Sequence, residues 1–147
     1  MKWKKINSKI VYKNQWLQLR EDDVIRPDGK KGKYSIVERS PVNFVIATNQ
    51  DEEIFFIREY RYPIKKTILQ LPAGTTDKNM SSLASAKKEL FEETGLKAKT
   101  WKKLGRFYIG PGHENIYANV FLATNLDSSQ IHTSTLASNE LILKVKI

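Results

Sequence analysis

The sequence contains no cysteine, and this absence alone excludes several kinds of site. Disulfide bonds, cysteine-ligated zinc and thiol nucleophiles all need a residue that the chain does not have. No apolar run approaches the roughly 20 residues of a membrane-spanning helix. The basic stretch at residues 1–12 also lacks the apolar core of a signal peptide. We therefore expect no membrane partner and a cytoplasmic location.

Arginine-rich runs and ribbons of alternating basic and aromatic residues are also lacking. The formal net charge of +9 comes from lysines that are scattered along the chain, mostly alone or in pairs. We therefore do not expect nucleic acid as the main partner, since a basic surface equally attracts a small anion such as a diphosphate. No internal repeat or low-complexity linker interrupts the 147 residues, so residues 1–147 are predicted to form a single domain.

Strand patterns fill most of the chain. The N-terminal region 1–40 is predicted to contain a β-hairpin. Its half-exposed strands are residues 16–25 and 33–39, and a turn at 27–29 joins them. An apolar run at 42–48, of the kind buried on both faces, and a strand at 53–61 predict a second hairpin. Further strands are predicted at 68–71, 98–108, 116–124 and 140–147, with a loop at 125–139.

One helix is predicted, which makes this a mixed fold of helix and sheet. Ser81 or Ser82 can cap its start, and Gly95 is suited to its end. Glu89, Glu92 and Glu93 stand at i, i+3 and i+4, so their carboxylates project from one helix face and repel each other unless a cation lies among them. Oxygen-only ligands suit Mg²⁺ or Mn²⁺. A solvated acidic face is the alternative.

The helix belongs to a longer spaced pattern over residues 74–96. Seven positions of this pattern match the motif Gly-x5-Glu-x7-Arg-Glu-U-x-Glu-Glu-x-Gly-U, in which x is any residue and U is an aliphatic residue. The matching residues are Gly74, Glu89, Leu90, Glu92, Glu93, Gly95 and Leu96. Met80 stands in place of the first Glu, and Lys88 in place of Arg. The stretch thus resembles the Nudix box.

The flanks of the box resemble the ADP-ribose pyrophosphatases of that superfamily. The resembling segments are residues 59–63, 71–74 and 108–115, together with the N-terminal hairpin. The resemblance implies an α/β fold, the Nudix α/β/α sandwich with a mixed sheet and an N-terminal antiparallel hairpin used in a homodimer. It implies hydrolysis of ADP-ribose to AMP and ribose 5-phosphate. The C-terminal helix that usually follows the last strand has no counterpart here.

The resemblance also implies roles for individual residues. Glu89, Glu92 and Glu93 are expected to be catalytic metal ligands, and the backbone carbonyl of Ala73 can join them, unless Ala73 is only a small turn residue. Glu140 fits the later, metal-binding member of a Glu-x-Glu pair, although it could be an ordinary strand residue. Ser138 occupies the earlier position, where a general base is expected, so the identity of that base stays open. A missing base typically costs about 10²–10⁴ in rate.

The remaining implied residues contact the substrate. Arg61 is expected to clamp a diphosphate oxygen, with a surface salt bridge as the alternative, and Arg39 is a second candidate of this kind. Trp16 and Tyr34 are expected to stack on a purine, although aromatic residues are common in hairpins. The loop 108–115 is expected to contribute Pro111, Gly112 and Glu114.

Two functional hypotheses remain open. The first is a metal-dependent hydrolase of a nucleoside diphosphate sugar, with ADP-ribose as the expected substrate and GDP-mannose or a related sugar as another. The second is a Nudix domain of weak or no activity, which binds a nucleotide sugar as a sensor or partner module. Met80, Ser138 and the short C-terminus favour the second hypothesis, whereas the three box glutamates favour the first.

Overall fold

The structure is a computed structural model that describes residues 2–127 and 129, and the backbone of residues 141–146. This part of the chain forms ten strands and one α-helix. In order, the elements are β1 (Lys4–Lys13), β2 (Leu17–Ile25), β3 (Lys31–Arg39), β4 (Val42–Ala47), β5 (Glu53–Arg61), a 3₁₀ turn (Tyr62–Ile64), β6 (Lys66–Gln70), β7 (Ala73–Thr75), α1 (Ser82–Thr94), β8 (Lys97–Tyr108), β9 (Tyr117–Asp127) and β10 (Leu141–Lys146). The predicted mixed fold with one helix is confirmed for the described residues.

The chain divides into two compact units. The N-terminal unit comprises residues 1–41 and 107–118, and the helical unit comprises residues 42–106 and 119–147. The predicted N-terminal region 1–40 falls within the first unit. No helix of the described residues is long and apolar enough to cross a membrane.

The N-terminal unit contains a three-stranded antiparallel sheet in the order β1-β2-β3. The predicted hairpin is confirmed as β2 and β3, which pair from Leu17 opposite Arg39 to Ile25 opposite Lys31. The third strand, β1, was not predicted. All its residues are exposed, so it has no buried apolar face whose alternation would reveal a strand.

Two further sheets have the orders β10-β5-β6 and β7-β4-β9-β8. The predicted hairpin of β4 and β5 is therefore wrong, because the two strands belong to different sheets; the segment that joins them has an isolated antiparallel bridge between Thr48 and Ile54. Both edges of β4 are taken by β7 and β9 instead. The predicted loop at 125–139 is corrected at its start, since β9 continues to Asp127; residues 130–139 lie outside the described part.

The helix has the predicted ends. The Oγ of Ser81 accepts a hydrogen bond from the backbone N–H of Ala84 at 3.1 Å, and Gly95 ends the helix with a left-handed φ of 73°. The buried face of α1, which includes Ala86 and Leu90, belongs to a cluster of apolar side chains shared with the neighbouring strands. The cluster comprises Val45, Ala47, Phe55, Ala86, Leu90, Leu96, Phe121 and Ala123. Burying a single leucine contributes about 1.5–3 kcal/mol, so this face anchors α1 to the sheet.

Candidate active site and metal site

The carboxylate of Glu89 lies directly on the backbone of Gly74. Glu89 belongs to α1, whereas Gly74 lies in β7. A Cβ atom at position 74 would overlap the carboxylate carbon and both carboxylate oxygens of Glu89, far inside the 3.0 Å that real Cβ atoms keep from other atoms. Because every residue except glycine carries a Cβ, the glycine that begins the box is what allows Glu89 to lie there.

Glu93 is attached to the same strand by a hydrogen bond. Its Oε2 accepts from the backbone N–H of Ala73 at 2.9 Å. A bond from an N–H group to an ionised carboxylate is stronger than one between neutral groups, so it holds the side chain in place. The structure thus brings Glu89 and Glu93, one helical turn apart, to two consecutive residues of β7.

Glu92 has different surroundings from these two glutamates. Its side chain is 54% exposed, and its Oε2 lies 3.8 Å from Nζ of Lys88, one turn earlier on α1. The same Nζ donates to Oδ2 of Asp77 at 2.7 Å. The hydrogen bond to Asp77, followed by the charge of Glu92, raises the pKa of Lys88 above its ordinary value. Lys88 therefore connects the helix to the loop before it and is not merely a solvated residue.

Met80 lies in that loop, between β7 and α1. Its side chain is exposed, and its backbone N–H donates to the carbonyl of Asp77 at 3.2 Å. A thioether sulfur is a soft ligand that does not suit a hard cation. At this position the loop therefore supplies no side-chain ligand for Mg²⁺ or Mn²⁺.

The donor chemistry of Glu89 and Glu93 fits a hard divalent cation, which prefers oxygen ligands. The space above Gly74 admits the Glu89 carboxylate, and the Ala73 N–H holds that of Glu93. Among the residues that the structure describes, no three His, Cys, Asp or Glu side chains converge closely enough to hold an ion. The fit therefore depends on two carboxylates, while Glu92 pairs with Lys88.

Arg61, at the end of β5, is held by two side chains of the β5–β6 hairpin. Its Nη2 lies 2.7 Å from Oε2 of Glu59, and its Nε donates to Oε1 of Gln70 at 3.2 Å. Gln70 in turn donates to Oε2 of Glu59 at 2.7 Å. The salt bridge that the sequence left as an alternative is thus present. The side chain is still 41% exposed, so part of the guanidinium group is accessible to an anion.

The N-terminal unit contains a pocket of about 380 Å³, a size within the range of small-molecule sites. On one side the rings of Trp3 and Tyr34 meet edge to face, with their centroids 5.2 Å apart. The strand β2 contributes Arg20 and Asp22. Aromatic rings beside charged groups are typical of sites that orient a flat, polar ligand.

The loop that carries the predicted substrate residues closes this pocket. The backbone N–H of Val37 in β3 donates to the carbonyl of His113 at 2.9 Å, and the hydroxyl of Tyr34 donates to the carbonyl of Gly112. These bonds fix the loop beside β3. The predicted residues that come together in this way are Tyr34, Pro111, Gly112 and Glu114.

Glu114 has an unusual carboxylate in this pocket. Its Oε2 is buried and has no hydrogen-bond partner among the described residues. Its Oε1 lies 3.9 Å from Nε2 of His113. A buried acceptor without a partner costs about 1–3 kcal/mol. A ligand with an N–H or O–H donor would satisfy it.

The other predicted substrate residues do not join the pocket. Trp16 lies in the turn between β1 and β2, where Oδ1 of Asn14 accepts from its backbone N–H at 2.8 Å, and its side chain is 72% exposed. Arg39 is exposed at the end of β3, opposite Leu17. Glu140, predicted to be catalytic, lies outside the described residues, as does Ser138.

Trp3, Arg20 and Asp22 are among the pocket residues that were not predicted from the sequence. Asp22 is buried in β2 and accepts from Oγ of Ser8 at 2.5 Å, while its Oδ1 lies 3.1 Å from Nε of Arg20. The local signal for these residues is weak, because Asp22 lies in a polar strand and Trp3 in a basic N-terminus. Only the fold shows that Trp3, which meets Tyr34 of β3, lines the same pocket as Arg20 and Asp22 of β2.

A model described as the NUDIX domain matches residues 38–142, and one described as the nucleoside diphosphate sugar hydrolase N-terminal domain matches residues 3–37. The ADP-ribose pyrophosphatase of Bacillus subtilis is 33% identical over 123 residues, which are 84% of this chain and 66% of that protein. The chain thus spans just under two thirds of the length of this relative.

A second relative is the methanol dehydrogenase activator of Bacillus methanolicus, 29% identical over 127 residues, which are 86% of this chain and 69% of that protein. Among solved structures, one titled as an ADP compounds hydrolase superposes with a TM-score of 0.80 and 19% identity, covering 98% of this chain and 78% of that one. At this identity the likeness bears on the fold alone, and it confirms the predicted α/β architecture.

Proposed function

The chain belongs to the Nudix family, and on that basis we propose that it hydrolyses a nucleoside diphosphate sugar, with ADP-ribose as the substrate. The products are AMP and ribose 5-phosphate: water adds at a phosphorus atom, the bond to the bridging oxygen breaks, and each product keeps one phosphate. Two contacts of α1 with β7 carry the proposal. The carboxylate of Glu89 lies against the backbone of Gly74, and the carboxylate of Glu93 accepts a hydrogen bond from the backbone N–H of Ala73. The names of the relatives and the N-terminal family match support the substrate class.

We propose Mg²⁺ or Mn²⁺ as the cofactor. Glu89 and Glu93 are the main proposed ligands, joined by Glu92, by the carbonyl of Ala73 and by Glu140. A divalent ion bound there supplies neutralisation of the diphosphate charge and activation of water. For Glu92 to take part, its side chain must leave Lys88, which lies 3.8 Å away and is also held by Asp77.

Each unit, taken by itself, offers side chains that suit one part of the substrate in this proposal. The exposed part of Arg61 binds a phosphate oxygen while Glu59 and Gln70 keep the guanidinium group in place. In the N-terminal unit, the rings of Trp3 and Tyr34 offer an apolar wall to a purine. The buried Oε2 of Glu114 accepts from an amino or hydroxyl group of the ligand.

Release of AMP from ADP-ribose in the presence of Mg²⁺ or Mn²⁺ tests the proposal directly. Glu93→Gln keeps the size of the side chain but removes its charge, so we expect turnover to fall to background. Glu52→Gln, at an exposed position before β5, is the matched control and should behave as the wild type. A wild-type protein that releases no AMP with either ion, and cleaves no other nucleoside diphosphate sugar such as GDP-mannose, would overturn the proposal.

The second candidate function is binding of a nucleotide sugar without efficient cleavage. It is favoured by Met80 in place of the box glutamate and by the gathering of only two carboxylates among the described residues. Titration calorimetry with ADP-ribose, combined with the assay for AMP release, distinguishes binding from cleavage. Binding of ADP-ribose without AMP release, across both ions, would establish the second function and exclude the first.

We also propose that the protein forms a homodimer through the N-terminal sheet. The outer strand β1 exposes several apolar side chains: Ile6, Ile10, Val11 and Tyr12. Exposed apolar patches of this kind are typical of protein interfaces. Sedimentation that shows only a monomer at micromolar concentration would contradict this assignment.

A further inference from the structure

Buried polar side chains connect the two ends of the loop between β7 and α1. The Nδ2 of Asn43 in β4 donates at 3.0 Å to Oγ1 of Thr76, the residue after β7. The Nδ2 of Asn119 in β9 donates to Oδ1 of Asn43 at 3.0 Å and to Oγ of Ser82, the first residue of α1, at 3.2 Å. The two asparagines are 0% and 1% exposed. We call these four residues the asparagine bridge.

The asparagine bridge lies on the same face of β7 as the Glu89 carboxylate. Asn43 is directly opposite Gly74 in the antiparallel pairing of β4 with β7. Opposite residues in such a pair direct their side chains to one face of the sheet. A side chain at Gly74 would run into the carboxylate of Glu89. The amide of Asn43 and the carboxylate of Glu89 therefore share this face.

The asparagine bridge also determines where α1 begins relative to the strand. It ties Thr76, at the start of the loop, and Ser82, at its end, to the central strands β4 and β9. The backbone N–H of Asp77 adds a bond to Oγ of Ser85 at 3.1 Å. An α-helix is a stiff rod with 3.6 residues per turn. A shift at Ser82 is therefore transmitted to Glu89, about two turns later.

Stability alone does not explain this arrangement. The Oδ1 of Asn119 is buried and has no donor among the described residues. An unsatisfied buried acceptor destabilises the folded state, and apolar residues of the same shape would avoid that cost. The unpaired acceptor adds nothing to the folding free energy, which favours a role of the network in fixing the positions of β7 and α1.

We propose that Asn43 and Asn119 are positioning residues of the metal site. Through Thr76 and Ser82 they hold α1 where its glutamates reach β7, and they thereby set the affinity of the site for a divalent cation. The cation itself rests on the proposed function. Residues outside the immediate ligands commonly change metal affinity by about 10–100-fold when they are replaced.

Binding of Mn²⁺ to the protein without substrate, followed by the electron paramagnetic resonance signal of the free ion, tests the proposal. Thr76→Val and Asn119→Leu remove bonds of the asparagine bridge and should raise the Kd for Mn²⁺ about tenfold, or about 1.4 kcal/mol. Thr76→Ser keeps the hydroxyl and should leave the Kd unchanged. The matched control is Thr100→Val, which removes an exposed bond of the same type, from Nδ2 of Asn125 to Oγ1 at 2.9 Å.

Melting temperatures measured without metal distinguish positioning from stability. If Thr76→Val lowers the melting temperature but leaves the Kd for Mn²⁺ as in the wild type, the asparagine bridge serves only the fold, and the proposal is wrong. If Asn119→Leu does not fold, the comparison of Thr76→Val with Thr76→Ser still decides. Hydrolysis of ADP-ribose by the wild type, with equal Mn²⁺ binding in all variants, overturns this proposal alone. A wild type that neither binds Mn²⁺ nor hydrolyses overturns the proposed function as well.

Discussion

Replacing Gly74 by alanine should change the stability of the fold only slightly and lower the activity of the proposed site strongly. The three atoms nearest to the added Cβ all belong to the end of the Glu89 side chain, so this side chain can rotate away while the strand stays in place. A strained rotamer costs about 0.5–1.5 kcal/mol, and replacing a glycine within a strand recovers about 0.5–1 kcal/mol. We therefore expect a net change within about 1 kcal/mol, or about 2–4 °C in melting temperature.

The effect on activity should be much larger. The rotation removes the carboxylate of Glu89 from the strand, and a displacement of about 1 Å in a catalytic arrangement can cost roughly 10²-fold. AMP release by Gly74→Ala should therefore fall about 100-fold at saturating ADP-ribose and fixed Mg²⁺. Gly105→Ala is the matched control, because a Cβ at Gly105 in β8 would meet no atom within 4 Å, and its activity should equal that of the wild type.

Either of two results would refute this reasoning. Activity of Gly74→Ala equal to that of Gly105→Ala would show that the position of Glu89 does not matter for turnover. A fall in melting temperature of more than about 10 °C corresponds to more than about 2 kcal/mol for a chain of this size. It would show that the added Cβ displaces the backbone of β7 and not the side chain of Glu89.

Three further predictions concern the loop, the surface and the pocket. Met80→Glu places a carboxylate where the box has one and should raise the affinity for Mn²⁺ or the rate of AMP release; no change in either would mean that the position is unimportant. The pKa of Glu21 is lowered by its hydrogen bonds, first to Lys33 and then to Lys9. The ionised Glu21 carboxylate therefore stabilises the folded state above pH 4.5, the ordinary pKa of this group, and this stabilisation is lost as the pH falls through the lowered pKa. Glu21→Gln should accordingly lower the melting temperature at pH 7 and not at pH 3, and equal differences at both values would contradict the assignment. Trp3→Ala should raise the KM for ADP-ribose roughly tenfold, since an aromatic ring that contacts a base contributes about 1–3 kcal/mol, and an unchanged KM would remove Trp3 from the site.

The helix and several strands could be predicted because their signals are local. Ser81 and Gly95 form their capping bonds to Ala84 and Phe91, which lie three and four residues away in the sequence. The alternation of β2 and β3 is similarly visible within each strand. Local signals failed for β1, whose residues are all exposed, and for the partner of β4, because an apolar strand does not reveal which strand it pairs with.

The candidate site shows the same division. The box spacing identified Glu89, Glu92 and Glu93 as a group on one face of a helix. The structure then separates them: two lie against β7, whereas Glu92 pairs with Lys88. Helical spacing places side chains on one face, but it carries no information about the strand that this face meets.

The sequence by itself determined the helix with its caps, the spacing of its three carboxylates, and the residue types of the proposed metal site. These features depend on residues a few positions apart, whose geometry the helical backbone dictates. Only the tertiary structure decided that Trp3 meets Tyr34, and that Asn43 meets Asn119, 76 residues further along the chain. The physical reason is that strand pairing joins distant segments, and burial then makes their polar groups bind each other, which no local pattern of residues encodes.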